Sequence, residues 1–145
     1  MLREVMPTDL PVHFEQQRDP TSVAMAVVPS RDRAAFDAHW KRLLGDPSVV
    51  VRTVVADGEV VGSAVSFLRG GERQVGYWIG REHWGRGLAS AALAELLIEV
   101  TERPLFARVV PHNLGSLRVL AKSGFQMVGE ERGDDGTLAC VLRLG

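Results

Sequence analysis

Apolar residues recur along this chain with two different periods, and the switches between them outline the elements. Residues 49–56 and 60–67 are apolar, β-branched-rich runs on either side of Asp57-Gly58, a strong hairpin signal. Gly70-Gly71 turns the chain again, and residues 74–79 form a third strand of the same meander. Over residues 88–101 the period lengthens, and Leu93, Leu96, Leu97 and Val100 make one stripe of a helix. Pro104 leads into a strand over residues 105–110, which Pro111-His112-Asn113 ends. Asn113 is an N-cap residue for a helix carrying Leu117, Leu120 and Ala121, with Gly124 at its C′ position. Strands over residues 125–131 and 137–144 flank a turn at Asp134-Asp135-Gly136.

The first third carries weaker signals and reads as weakly structured or helical. Thr8-Asp9 is placed to cap a short helix running toward Gln17, which Asp19-Pro20 breaks. Ser30 is an N-cap for a second helix, with Phe36, Trp40, Leu43 and Leu44 on one face and Gly45 and Pro47 stopping it. Helices, a strand meander, a helix, a strand, a helix and a closing hairpin predict an α/β (α+β) fold. Its sheet is mixed and mostly antiparallel, with helices on its faces.

At 145 residues the chain is read as one domain with a sizeable core. A formal net charge of −1 gives no global attraction for nucleic acid or an anionic membrane. Cys140, the single cysteine, has no internal partner for a disulfide, which favours a cytoplasmic setting. No apolar run reaches membrane-spanning length, and Arg3, Glu4, Pro7 and Asp9 do not resemble a secretion signal.

The chemistry lies between the third strand and the first long helix, at Trp84-Gly85-Arg86-Gly87-Leu88-Ala89-Ser90. Two glycines and small residues leave the N–H groups of a helix's first turn bare, and such groups at the positive end of a helix dipole seat phosphate. A dinucleotide loop needs a third glycine where Ser90 stands and a carboxylate where the following strand runs into Pro111-His112-Asn113. A Walker loop needs Lys-Ser/Thr where Arg86-Gly87 stands.

The hexamer from Trp84 to Ala89 resembles the Q/R-x-x-G-x-G/A loop of the Gcn5-related N-acetyltransferases, matching at Gly87 and Ala89 and departing at Trp84. The Asn113-to-Phe125 segment resembles the same family's second landmark, an Asn that starts a helix ending in Lys and Gly-Phe. The likeness covers about residues 74–125 and is closest to the ribosomal-protein-alanine acetyltransferase-like branch.

The resemblance implies an acyl-CoA N-acyltransferase-like fold, with acetyl-CoA held where two parallel strands, residues 74–80 and 105–110, splay apart. It implies backbone contacts from Ile79 and Arg81 to the pantetheine arm and a pyrophosphate on the N–H groups of Gly85, Arg86, Gly87, Leu88, Ala89 and Ser90. Trp84 contributes backbone, Arg86 a charge-assisted contact, and Asn113 reaches the pantetheine. A neutral amine then attacks the thioester directly, and a backbone N–H near Tyr77 to Ile79 stabilises the oxyanion.

The tyrosine that many members use as acid falls at Leu120 here, and Ser116, three residues after Asn113, is the substitute. The branch's glutamate base falls at Gln74, which leaves Glu72, Glu82, His39, His83, His112 or a water relay. Trp40, Tyr77 and Trp78 are candidates for the acceptor pocket, with helix packing the alternative for Trp40. The expected acceptor is a primary amine of a small molecule or a protein N-terminus, and a homodimer is compatible with the fold. A catalytically idle CoA sensor and a transferase for another acyl-CoA remain as alternatives.

Overall fold

The computed structural model describes residues 1–28 and 30–145. Strands β1 (Leu2–Glu4), β2 (Val50–Ala56), β3 (Glu59–Arg69), β4 (Glu72–Ile79), β5 (Leu105–Val109), β6 (Gln126–Arg132) and β7 (Leu138–Leu144) form one sheet. Their order is β1-β2-β3-β4-β5-β7-β6. Every neighbouring pair among the described residues is antiparallel except β4 with β5. The helices are α1 (Leu10–Arg18), α2 (Pro20–Ala26), α3 (Arg33–Gly45), α4 (Leu88–Glu99) and α5 (Leu114–Lys122). No helix is long and apolar enough to cross a membrane among these residues.

Strand alternation sends the core to both faces of the sheet. On β2, Val50, Val54 and Ala56 pack with Leu93 and Leu96 of α4 and Leu120 of α5, whereas Val51 packs with Phe36 and Trp40 of α3. The same parity puts Tyr77 of β4 on the α4/α5 face and turns Trp78 to α1, where its indole N–H donates to the Gln16 carbonyl at 3.0 Å. The β2–β3 turn takes positive φ at both Asp57 and Gly58, the backbone hand that matches strand twist in a two-residue hairpin. At the end of α5, Phe125 N–H bonds Leu120 C=O and Gly124 N–H bonds Ala121 C=O, with Gly124 at φ 97°, so the helix closes in a Schellman motif.

The first third is more ordered than its sequence pattern predicts. Leu2–Glu4 is a strand, paired with Arg52 to Val54 of β2. Asp19-Pro20 does not simply break a helix. It starts α2, with Pro20 in the first turn, where its missing N–H loses nothing, and the Asp19 carboxylate accepting from Ser22 N–H at 3.0 Å. The cap of α3 is Asp32, whose Oδ1 accepts from Ala35 N–H at 2.8 Å, not Ser30. Leu44 leaves the apolar face and stays 48% exposed, because the face is completed by Phe36, Trp40 and Leu43.

Asp9 gives α1 no side-chain cap. Its carboxylate is buried instead and accepts from both terminal nitrogens of Arg3 (2.6 and 2.8 Å), from Met6 N–H (2.8 Å) and from the Thr53 hydroxyl (2.8 Å). The single Thr53 hydrogen is thereby used, so His13 Nε2, 3.1 Å from that hydroxyl, is the donor to it. His13 in turn stacks on Trp40, with ring centroids 4.9 Å apart.

Candidate active site

The parallel pair β4 and β5 is in register only at Arg73 with Leu105 and at Gln74 with Phe106, although β4 continues to Ile79 and β5 to Val109. The ladder therefore opens into a wedge. Gly80 N–H donates to Val61 C=O of β3 at 2.8 Å. Hydrogen-bonding direction alternates along a strand, so the peptide groups of Tyr77 and Ile79 face the wedge. The Ile79 carbonyl there accepts the Trp84 indole N–H at 2.9 Å.

After β4 a short 3-10 turn, Arg81–His83, delivers the chain to the glycine loop. Gly85 and Gly87 have φ of 79° and 72°, and a Cβ on either would meet no protein atom within 4 Å. The glycines are needed for backbone hand, and the space above them stays open. Helix α4 then starts without a side-chain cap, its first turn closed only by Ala91 N–H to Gly87 C=O. The N–H groups of Leu88, Ala89 and Ser90 precede that first bond and point out of the helix end. Loop and wedge open into one cavity of about 590 Å³.

Of the residues expected to bind a cofactor, Ile79, Trp84, Gly85, Gly87, Leu88, Ala89, Ser90 and Asn113 line this cavity, as does Ser116. Arg81 and Arg86 do not. Arg81 pairs with Asp19 at 3.1 Å, and its carbonyl is taken by Trp84 N–H. Arg86 lies between Asp57 (2.8 Å) and His83 Nδ1 (3.2 Å), outside the cavity lining. The sequence pattern gave no sign of the wall made by Ser22, Met25 and Ala26, because α2 itself was hidden behind the Asp19-Pro20 signal.

A second cavity, about 380 Å³, lies on the β5–β7 side of the wedge, and Tyr77, Trp78, Asn113 and Ser116 line both. At this junction the Tyr77 hydroxyl sits 2.7 Å from Ser116 Oγ. Asn113 Oδ1 accepts Ser116 N–H at 3.3 Å, which fixes the first turn of α5. Burial raises the Tyr77 phenol above its usual value, partly offset by the Ser116 bond, so it is a proton donor throughout the neutral range. Leu120, one turn further on, is 1% exposed and has no acidic group to donate a proton.

The candidate bases are scattered. Gln74 is buried, with Oε1 held by Arg108. Neither Glu72 nor Glu82 lines either of these cavities; His83 and His112 both line the larger one. His39 lines a third cavity, of about 310 Å³, between α1, α3 and the sheet, where Trp40 and the other flank of Tyr77 and Trp78 also lie. Burial, reinforced by Arg31 and Arg42, lowers the His39 imidazole from its usual value.

Comparisons agree with this geometry. Residues 1–126 match the family model described as an acetyltransferase (GNAT) domain. An uncharacterized N-acetyltransferase p20 of Bacillus licheniformis is 35% identical over 63 residues, which is 41% of this chain and 35% of the length of that relative. The aminoglycoside acetyltransferase AAC(6')-Ib, solved in complex with coenzyme A, superposes with a TM-score of 0.82 at 22% identity, over 99% of this chain and 93% of that one. A spermidine N-acetyltransferase from Vibrio cholerae, in complex with CoA and spermine, gives 0.82 at 15% identity, over 99% and 92%. With the family model covering most of its length, the chain belongs to the acetyltransferase (GNAT) domain family.

Proposed function

We propose that the protein is an N-acetyltransferase that moves the acetyl group of acetyl-CoA to a primary amine. The observation that carries this reading is the single cavity joining the uncapped start of α4 to the wedge between β4 and β5. A phosphate group needs the first feature and an extended amide-bearing arm needs the second. The open space over Gly85 and Gly87 fits the pyrophosphate, and the Ile79 N–H fits the arm. The two solved neighbours described above were crystallised with CoA, which supports the same ligand.

When bound, acetyl-CoA supplies an electrophilic thioester carbonyl and a thiolate leaving group. The chain's own residues do the rest. The Tyr77 N–H, aimed into the wedge, is a donor for negative charge developing on the carbonyl oxygen, which leaves the Ile79 N–H for the arm. The hydroxyls of Tyr77 and Ser116 hold two hydrogens between them, and their mutual bond uses one. With Tyr77 as the donor to Ser116 Oγ, one of the two directions the contact allows, the Ser116 hydrogen is left for the departing sulfur, and solvent returns a proton to the pair. The proton lost by the attacking amine leaves through solvent.

Calorimetry with acetyl-CoA tests the donor, and thiol release across a panel of amines and acyl-CoA donors tests the reaction. Absence of binding would sink the proposal; tight binding with no turnover above hydrolysis would make the protein a CoA sensor instead. For the hydroxyl pair, Ser116→Ala and Tyr77→Phe are each expected to lower kcat by about 100-fold. The acetyl-CoA dissociation constant should change by less than about threefold. Because the two act as one unit, the double variant should be no slower than the worse single one. Additive losses would separate the two roles.

A further inference from the structure

Resting on the acetyltransferase reading, the two cavities that flank Tyr77 and Trp78 away from the glycine loop form the acceptor side, and both are lined by arginines. Arg69 and Arg108 line the 380 Å³ cavity, Arg18 and Arg31 the 310 Å³ cavity, and the two share Val28, Gly76, Tyr77 and Trp78. Among the described residues, Glu131, in the 380 Å³ cavity, is the one carboxylate that lines either of them. It is already committed, accepting from Arg108 at 2.5 Å and from Arg69 at 3.3 Å. Two further carboxylates stand outside the lining: Glu15, 3.7 Å from Arg18, and Glu72, 3.9 Å from Arg108. Counting them, four arginines face three carboxylates, and the lining itself keeps a positive excess.

From this we infer that the acceptor is a primary amine carrying an anionic group, a carboxylate or a phosphate, rather than a polycation. Guanidinium groups recognise both anions through paired N–H bonds. A second or third ammonium on the acceptor would instead enter a field of its own sign. Neighbours solved with kanamycin or spermine hold ligands with several amines.

The test is thiol release from saturating acetyl-CoA by the full chain with glutamate, aspartate, phosphoethanolamine, spermidine and kanamycin. At least one anionic amine should exceed spermidine and kanamycin in kcat/KM by about tenfold or more. The phosphoethanolamine arm separates phosphate from carboxylate. Arg31→Gln and Arg69→Gln should each raise KM for the preferred amine by about fivefold, leaving the acetyl-CoA dissociation constant unchanged. Spermidine or kanamycin turned over as well as the anionic amines, or no turnover of any anionic amine, overturns the inference while calorimetric binding of acetyl-CoA leaves the cofactor reading standing. Failure of acetyl-CoA to bind overturns both.

Discussion

Gly87→Val is expected to weaken acetyl-CoA binding by about 100-fold, which corresponds to about 2.7 kcal/mol. Two effects combine. Gly87 has φ of 72°, a backbone region that a β-branched residue occupies only under strain. It is also the N-cap of α4 and lines the cavity, with no protein atom near its absent Cβ, so the new side chain enters space left for the ligand. Gly58→Ala separates the two. Gly58 sits at φ 76° with equally free surroundings, on the β2–β3 turn and outside the cavity lining. It should lower stability by about 1 kcal/mol through backbone hand alone and leave the calorimetric dissociation constant as it was. Equal affinity losses in both variants would mean that loop strain, not the seat, controls binding.

Asp9→Ala is expected to destabilise the fold by about 3 kcal/mol, read as a shift of the urea midpoint at unchanged slope. The carboxylate is 2% exposed and anchors Arg3, Met6 N–H and Thr53 together. Removing it strands a backbone donor and a buried hydroxyl, and it frees β1 from the start of α1. Arg3, with the Met6 and Thr53 bonds, holds the Asp9 carboxyl well below the usual carboxylate range against the opposing effect of burial. A depressed acid contributes stability that is present above its unfolded pKa and is lost as pH falls toward the folded one. Wild-type stability should therefore begin to drop below about pH 4, and Asp9→Asn should flatten that limb.

Legibility in the sequence followed the physics of each region. The meander, α4 and α5 were readable because their period, turn glycines and caps agree: Asp57-Gly58, Asn113 and Gly124 each stand where the pattern puts them. The bend of the glycine loop was readable because backbone hand depends on which glycines are present. The first third was harder. Asp9 and Asp19 are both cap-type residues next to a helix, and only tertiary contact assigns one to Arg3 and Thr53 and the other to Ser22. Likewise Ser30 and Asp32 compete locally, and the carboxylate wins. The Tyr77–Ser116 pair joins residues 39 positions apart on different elements, a contact that no local spacing announces. The surplus of arginines has the same origin, since Arg18, Arg31, Arg69 and Arg108 are far apart in the chain and meet only around the sheet.

The wedge between β4 and β5 has a consequence for the stability of the whole molecule. Beyond Gln74 and Phe106 the sheet is two leaves, β1 to β4 and β5 to β6, and the edges facing each other there lack the ladder that joins every other neighbour. A ligand arm that bridges those edges mends a seam, and mass action makes the repaired sheet harder to melt by about 2.7 kcal/mol at a ligand concentration 100 times its dissociation constant. Heating the protein with and without acetyl-CoA should show the melting temperature climbing with ligand concentration. If the wedge is where acetyl-CoA docks, the melting temperature becomes a readout of how well that gap in the ladder is filled.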